Sequence, residues 1–221
     1  MGGWMAAVGL WGIAYLLGSV PTGYLAGYLL QGIDIRTEGS GSTGATNVLR
    51  TLGKGPAIAV LLIDVLKGVA AIFLIPALSQ PAVQDFLLNQ NWAADPTQVL
   101  ALPWLEVGAG LAALLGHSRS LWLGFTGGKS VATGLGVLLA LAWPVGLAAL
   151  GVFGLSLAIT RIVSVSSILA AIAVPLLMVG TQQPLAYQLF SLAAGLYVIW
   201  RHRSNIERLL AGVEPRLGQK L

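Results

Sequence analysis

The chain has 221 residues, of which 56% are hydrophobic and only 9% charged, whereas about a quarter of the residues in a soluble domain are charged. It contains no cysteine, which excludes disulfide bonds and thiolate metal sites. The net charge of +4 is compatible with nucleic-acid binding, but in a chain this apolar an excess of Lys and Arg more often marks cytoplasmic loops. We therefore expect membrane lipid, and no nucleic acid, as a partner.

Apolar segments recur along the chain at lengths near the roughly 20 residues that cross a bilayer. They predict an all-α polytopic membrane protein that forms a single domain over 1–221. The predicted spans are 4–30, 57–79, 104–116, 131–142, 145–160, 164–180 and 185–200. Two of them, 131–142 and 145–160, are short for full spans, so we expect them to be tilted or packed as a kinked hairpin.

The stretch 131–160 decides the number of spans, because it is either one long helix or two short ones that turn at Trp143-Pro144. Basic residues are absent from the first few positions and from 80–103, 143–146 and 181–184. With the turn, every Lys and Arg falls on or near one side, whereas one long span would put Arg161 and the basic tail outside. We therefore predict seven transmembrane helices, with the N-terminus outside and the C-terminus in the cytoplasm.

Two further sets of residues follow from this topology. The loop 80–103 is external, and Trp92 and Trp104 are predicted to be anchors at the membrane interface. Asp64 and Lys67 lie three residues apart within an apolar span, so they can pair on one helical face, either as a structural pair or in support of a site.

The first polar stretch runs over 36–50 and reads RTEGSGSTGATNVLR. Its glycines let backbone N–H groups converge, and its hydroxyls, Asn47 and Arg50 add side-chain donors. Such a nest of donors with at least one cation is what a phosphate group needs. A flexible linker has the same Gly/Ser composition but no need for Asn47 and Arg50 beside an apolar run, which favours a site.

The second stretch, 116–133, contains a Gly-Gly-Lys-Ser turn at 127–130 directly before an apolar helix, so free N–H groups and the positive helix end can face an anion. The spacing from Gly124 to Gly128 is one residue too short for a Walker A motif, and no βαβ unit is possible here. A P-loop NTPase is therefore excluded, and phosphate binding is kept. His117 is either a site residue or an interfacial histidine at a helix end.

The third stretch, 200–208, follows the last predicted span. Its basic residues are most often a topology anchor that binds lipid headgroups. His202 and Asn205, however, share one helical face, and an anchor has no need of the anion Glu207. Ser164, in a fourth polar patch on the same side, can contribute a donor to the same site.

Together the motifs resemble the PlsY-type acyl-phosphate:glycerol-3-phosphate acyltransferases, a family of bacterial inner-membrane enzymes. The resemblance covers essentially the whole chain, with the first motif at 39–50, the second at 116–117 and 127–133, the third at 202–210, and a shared Asp-Val-Leu-Lys-Gly segment at 64–68. It implies a multi-pass enzyme of the bacterial plasma membrane whose active site faces the cytoplasm and which needs no cofactor or metal.

The reaction implied by the resemblance moves an acyl chain from acyl phosphate to the 1-hydroxyl of glycerol 3-phosphate, an early step of phospholipid synthesis. A soluble enzyme that makes acyl phosphate is then a possible partner. The implied catalytic residues are Ser40, Arg50, His117 and Lys129, with His117 as a general base or a positioning residue. The implied substrate-binding residues are Asn47, Gly127, Gly128, Thr133, Ser164, His202, Asn205 and Glu207.

The sequence departs from the family pattern at a few positions. Ser42-Thr43 replaces an Asn-Pro or Asn-Val pair, Ser120 replaces a proline, Thr126 replaces a basic residue, and Ser130 replaces a glycine. Loss of a cation at Thr126 is expected to weaken or redistribute phosphate contacts.

Three alternatives are weaker. A membrane transporter or binding protein for an anionic, phosphate-bearing solute would place polar residues near the midplane and show paired repeats, neither of which is evident. A non-catalytic scaffold leaves the Gly-Gly-Lys turn unexplained. The acyltransferases with an HxxxxD motif are disfavoured because His202 to Glu207 gives only HxxxxE.

Overall fold

The computed structural model describes residues 2–78 and 96–219, with side chains described for 7–74 and 102–219. Throughout these residues the regular structure is helical. The α-helices are α1 Gly2–Ser19, α2 Thr22–Gln31, α3 Ala45–Thr51, α4 Lys54–Leu78, α5 Pro96–Ser118, α6 Val131–Leu141, α7 Trp143–Thr160, α8 Val163–Gly180, α9 Leu185–Arg201 and α10 Arg203–Leu210. Short 3-10 helices lie at Ile35–Thr37 and Leu121–Leu123.

Four stretches among the described residues are long and apolar enough to cross a membrane: Ala7–Gln31, Lys54–Leu74, Trp143–Thr160 and Val163–Gly180. The segments predicted at 104–116, 131–142 and 185–200 are also helical and lie within α5, α6 and α9. The chain turns between α6 and α7 at Ala142, which confirms the predicted break beside Trp143-Pro144. The total of seven spans and the orientation of the termini stay predictions.

The first predicted span, 4–30, is broken into α1 and α2 at Val20-Pro21. Pro21 has no backbone N–H to continue the ladder of helical hydrogen bonds. Inside an apolar bundle the carbonyl freed by such a break needs a donor. The oxygen of Val20 accepts from Nζ of Lys67 on α4 at 3.0 Å and from the N–H of Thr22 at 3.1 Å.

Residues 96–103 of the predicted external loop are helical, because α5 already begins at Pro96, and their external position stays a prediction. Proline is favoured at the first position of a helix, where its missing N–H would have no intrahelical partner. Pro103 lies inside this helix. The rest of the predicted loop, including Trp92, lies outside the described residues. Trp104 is half exposed on α5, and the structure does not test its role as an anchor.

Small residues allow the helices to pack with their backbones close together, as is common in membrane bundles. A side-chain carbon at Gly136 of α6 would lie 2.0 Å from the carbonyl oxygen of Val65 on α4. A carbon at Gly18 of α1 would lie 2.2 Å from the oxygen of Ala113 on α5. These contacts hold α4 against α6 and α1 against α5. The end of α5, the starts of α6 and α8, the end of α9 and the loop before α3 come together as well, since residues from all of them line one cavity.

Candidate active site

A cavity of about 520 Å³ lies where these helix ends meet, and it has a polar end and an apolar interior. The predicted site residues in its wall are Ser40, Asn47, Arg50, His117, Lys129, Ser164, His202 and Asn205. Gly127, Gly128, Thr133 and Glu207 are not in the wall. The three sequence motifs therefore converge on one cavity, although some of their residues support the wall from behind it.

Asn47 organises the first motif loop. Its side chain is 1% exposed, and its Oδ1 accepts a hydrogen bond from the backbone N–H of Ser40 at 2.8 Å. Its Nδ2 donates to the carbonyl oxygens of Ile35 and Glu38, both at 3.0 Å. Because both amide hydrogens are used within the loop, Asn47 has no N–H left for a phosphate. Its role here is to hold the loop that presents Ser40 and leads to Arg50.

The Gly-Gly-Lys-Ser turn is shaped by the histidine behind it. The N–H of Gly128 donates to the carbonyl oxygen of His117 at 3.1 Å, and a side-chain carbon at Gly128 would lie 2.2 Å from Nε2 of His117. Arg201 donates from NH2 to the oxygens of Gly127 and Gly128, at 3.2 and 2.8 Å. The turn therefore directs the first residues of α6 into the cavity wall, with the positive end of the helix towards the cavity.

Two of the departures from the family pattern have local explanations. Ser130 has φ of 62°, in the left-handed region that favours glycine, and its hydroxyl compensates by donating to the oxygen of Leu114 at 2.7 Å. The hydroxyl of Ser120 donates to the oxygen of Ser19 at 2.6 Å and anchors the loop to the end of α1.

Thr126, which replaces a basic residue of the family pattern, contacts a cation from another loop. Arg36 donates from NH1 to Oγ1 of Thr126 at 3.2 Å. Neither residue lies in the cavity wall. The expected weakening or redistribution of phosphate contacts stays a prediction.

Lys129 and Asn205 are joined directly, since Nζ of Lys129 donates to Oδ1 of Asn205. Burial lowers the pKa of Lys129 to about 8, and the positive charges of Arg208, Arg201 and Arg50 act in the same direction, against the opposing effect of Glu214. Burial likewise lowers the pKa of the Arg50 guanidinium. Two cations, Arg50 and Lys129, thus line the polar end of the cavity, which suits a ligand with more than one negative charge.

His202 is neutral at physiological pH. Burial is the main cause that lowers its pKa, and the charge of Lys129 acts in the same direction, to about 4. Its Nδ1 lies 2.7 Å from the carbonyl oxygen of Val198, which can only accept, so Nδ1 carries the hydrogen. The Nε2 atom is then a hydrogen-bond acceptor on a side chain that lines the cavity, and it suits a hydroxyl group better than a phosphate.

A residue outside the predicted set, Glu214, completes the polar end. Its Oε1 accepts from Asn205 and Ser164 at 2.6 and 2.8 Å, and its Oε2 accepts from Arg208 at 2.7 Å. Burial raises the pKa of Glu214, but these hydrogen bonds outweigh that effect and lower it. Glu207, the acid expected at the site, is exposed instead. The signal for Glu214 in the sequence is weak, an isolated acid in a basic tail.

A buried polar cluster supports His117 from within the bundle. Oδ1 of Asp64 lies 2.8 Å from Nζ of Lys67 and 3.5 Å from Nδ1 of His117, and it accepts from the hydroxyl of Thr22 at 2.7 Å. Thr133 is fully buried, and a carbon at Gly68 would lie 2.2 Å from its carbonyl oxygen, so Thr133 lies at the contact of α4 and α6.

The interior of the cavity is apolar and extends between the helices. Its wall there includes Leu61 on α4, Leu138 on α6, Phe153 on α7, Val174 on α8 and Phe190 on α9. Leu61 of this wall is 43% exposed, so it also belongs to the outer surface of the bundle. The arrangement accommodates a molecule with an anionic head and a long apolar tail.

Among the residues whose side chains are described, no group of three or more His, Cys, Asp and Glu is placed to bind a metal ion. The polar end of the cavity presents hydrogen-bond donors and the cations Arg50 and Lys129 to an anion.

Comparisons with known proteins agree with this chemistry. A family model described as glycerol-3-phosphate acyltransferase matches residues 8–212. The chain is 61% identical over 223 residues to a glycerol-3-phosphate acyltransferase of Trichormus variabilis, covering 100% of this chain and 96% of that protein. It is 52% identical over 215 residues to the one of Gloeobacter violaceus, covering 97% of each.

Two solved structures are similar as well. The crystal structure of PlsY, an integral membrane glycerol 3-phosphate acyltransferase, in its glycerol 3-phosphate form has a TM-score of 0.81 and 37% identity, covering 96% of each chain. Its lysophosphatidic acid form has a TM-score of 0.78 and 36% identity, with the same coverage.

Proposed function

The chain belongs to the glycerol-3-phosphate acyltransferase family, and from this membership we propose that it transfers an acyl chain from acyl phosphate to the 1-hydroxyl of sn-glycerol 3-phosphate. The products are 1-acyl-glycerol 3-phosphate and inorganic phosphate. The observation that carries the proposal is the shape of the cavity, with convergent cations at one end and an apolar interior that continues between the helices. Two phosphate-bearing substrates and one acyl chain fit that division.

The polar end divides into two sets of groups. Arg50, Lys129, Ser40 and the first N–H groups of α6 are donors, and we assign them to phosphate oxygens and to the oxyanion that forms at the carbonyl. His202 and Asn205 are assigned to glycerol 3-phosphate, with Nε2 of His202 accepting from a hydroxyl and Asn205 keeping Lys129 in place. Ser164 supports this end through Glu214.

The reaction needs little beyond orientation and charge neutralisation, because acyl phosphate has a good leaving group. The oxygen of the 1-hydroxyl forms a bond to the acyl carbonyl carbon, and the bond from that carbon to the phosphate oxygen breaks. The phosphate leaves with the bonding electron pair. The hydroxyl proton passes either to a phosphate oxygen of the substrate or to His117, whose part is then that of a general base.

The membrane arrangement follows from the same proposal. The domain 1–221 crosses the bacterial plasma membrane seven times, with its N-terminus outside and with the polar end of the cavity at the cytoplasmic face. Acyl phosphate and glycerol 3-phosphate then arrive from the cytoplasm, the former from a soluble enzyme that makes it. The acyl chain and the lipid product exchange with the inner leaflet through the apolar part of the cavity.

One assay tests the donor. Purified protein is given radiolabelled glycerol 3-phosphate with either acyl phosphate or an acyl thioester, and labelled lipid is measured. We expect product with acyl phosphate alone. Product with the thioester only would contradict the proposed donor, and product with neither would contradict the proposed reaction.

A further inference from the structure

The last described residues form a strap that folds back over the polar end of the cavity. The C-terminal strap, residues 213–219, follows α10 and reaches the turn between α7 and α8. There the N–H of Leu217 donates to the oxygen of Arg161 at 2.6 Å, and NH2 of Arg161 donates to the oxygen of Leu217 at 3.2 Å. The strap is therefore fixed at both ends, by α10 and by Arg161.

Between these two attachments the strap inserts Glu214 into the site. The Glu214 side chain is only 4% exposed and lies in the cavity wall. Its carboxylate accepts hydrogen bonds from α8, through Ser164, and from α10, through Asn205 and Arg208. The strap lies outside residues 8–212, over which the family model matches, and outside all three sequence motifs.

We infer that Glu214 is a positioning residue of the glycerol 3-phosphate end of the site, supplied by the C-terminal strap. The inference rests on the proposed function and adds to it. A carboxylate can only accept hydrogen bonds, so Asn205 must turn its Nδ2 towards Glu214 and its Oδ1 towards Lys129. Glu214 thereby fixes that the oxygen end of the Asn205 amide meets Lys129. The hydrogen bond to this oxygen holds the lysine at the cavity.

The charge of Glu214 has a second effect on the same lysine. Arg50, Arg201 and Arg208 act on Lys129 with like charge, His202 beside it is neutral, and Glu214 is the anion that opposes the arginines. Without Glu214 the protonated form of Lys129 is less stable, so the lysine loses its charge at lower pH. An effect of this kind distinguishes positioning in the site from general support of the fold.

The test uses Glu214→Gln, which removes the charge and keeps the size, and Glu214→Asp, which keeps the charge. We expect KM for glycerol 3-phosphate to rise about tenfold in Glu214→Gln, the equivalent of one charge-assisted hydrogen bond, with KM for acyl phosphate within about twofold of wild type. Glu214→Asp should restore part of the loss. The alkaline limb of the pH–rate profile should move to lower pH in Glu214→Gln. The matched control is Arg216→Gln, which changes one exposed charge of the same strap outside the cavity wall and should match wild type.

Unchanged KM values and an unchanged alkaline limb in a folded Glu214→Gln protein would overturn the inference, as would an equal rise of both KM values with a lowered melting temperature. Should Glu214→Gln not fold in detergent, the same comparison is made on Glu214→Asp, where a KM for glycerol 3-phosphate equal to wild type overturns it. If wild type makes no product from acyl phosphate, the proposed function fails separately. Binding of radiolabelled glycerol 3-phosphate then decides about Glu214, because equal affinity in wild type and Glu214→Gln would contradict its role.

Discussion

Oδ1 of Asp64, in the middle of α4, lies 3.5 Å from Nδ1 of His117 at the end of α5, and both side chains are less than a tenth exposed. The same oxygen atom lies 2.8 Å from Nζ of Lys67 and accepts from the hydroxyl of Thr22 at 2.7 Å. Asp64 thus joins the broken first span to the histidine of the site. The sequence left open whether Asp64 and Lys67 are structural or support a site, and these contacts are compatible with both roles, which stay predictions.

Removal of the Asp64 charge should destabilise the protein. In Asp64→Asn the Lys67 ammonium stays buried without its counter-ion, which costs on the order of 3–5 kcal/mol when one partner of a buried pair is lost. The double variant Asp64→Asn/Lys67→Met removes both charges and should recover part of that loss, because it also removes the hydrogen bond from Nζ of Lys67 to the Val20 oxygen. Thermal unfolding in detergent, followed by tryptophan fluorescence, measures both. The exposed Lys54→Met is the control, and a melting temperature of Asp64→Asn equal to wild type would contradict the prediction.

Much of the fold could be predicted from hydropathy alone, because in a membrane a long apolar stretch can satisfy its backbone only as a helix. The turn between α6 and α7 followed from the distribution of basic residues, because one long helix would place Arg161 and the basic tail outside. The break at Pro21 could not be predicted in the same way. One of the two donors to the Val20 oxygen there is Lys67, 47 residues away along the chain, and the other is the N–H of Thr22.

The candidate site shows a similar division. Motif residues such as Lys129, His202 and Asn205 could be chosen from the sequence because cations, amides and imidazoles beside apolar runs are costly unless they have a purpose. Glu214 could not, because it reaches the cavity only through the fold of the C-terminal strap. The loop-holding role of Asn47 was equally hidden, since donors to a phosphate and donors to a backbone carbonyl are the same atoms.

Gly136 should tolerate no side chain. A carbon there would lie 2.0 Å from the carbonyl oxygen of Val65, so α4 and α6 would have to separate. We expect Gly136→Ala to cost roughly 1–3 kcal/mol by overpacking. Gly134 on the same helix is the matched control, because the nearest atom to a carbon at that position is 4.0 Å away. The melting temperatures of Gly136→Ala and Gly134→Ala in detergent give the loss of stability at each position. An equal loss would contradict the prediction that the close approach of α4 and α6 excludes a side chain at Gly136.

Replacement of His202 by asparagine should keep the hydrogen bond that Nδ1 donates and remove the acceptor atom Nε2. In His202→Asn the side-chain amide can still donate to the Val198 oxygen in place of Nδ1 but has no counterpart of Nε2, so KM for glycerol 3-phosphate should rise about tenfold while the fold is kept. The exposed neighbour Ser204→Ala is the control. Kinetics with both substrates measure the effect, and a KM for glycerol 3-phosphate that does not change would rule out a hydroxyl contact at Nε2.

The same variant should change the response of stability to acid. The pKa of His202 falls from its ordinary 6.5 to about 4 on folding, so the unfolded chain binds the proton more readily between these values. The lowered pKa of His202 therefore leaves the free energy of unfolding at its full value above pH 6.5 and reduces it as the pH falls towards 4. Melting temperatures of wild type should therefore drop more steeply over this window than those of His202→Asn. Parallel curves for the two proteins would contradict the lowered pKa.

Lys129 should set the alkaline limit of the reaction. Its pKa of about 8 means that the ammonium needed for a phosphate contact is present below that pH and is lost above it, so kcat/KM should fall as the pH rises through about 8. Lys129→Ala should lower kcat by about 10²–10³-fold, the usual loss for one donor to a developing negative charge, and should leave the protein folded in detergent. Wild-type rates in this variant with purified substrates would contradict the assignment of Lys129 to the site.

Lys129→Arg gives the sharper test of the titration. A guanidinium keeps its charge far above the pKa of Lys129, so any activity that remains should not fall near pH 8. Its planar group cannot reproduce the single contact of Nζ with Asn205, so a reduced rate is expected at every pH. A decline near pH 8 that persists in Lys129→Arg would place the titrating group elsewhere. Glu214→Gln can then be combined with either residue at position 129. With Lys129, loss of the Glu214 charge should move the alkaline limb of the pH–rate profile to lower pH, and with Lys129→Arg it should leave the profile unchanged.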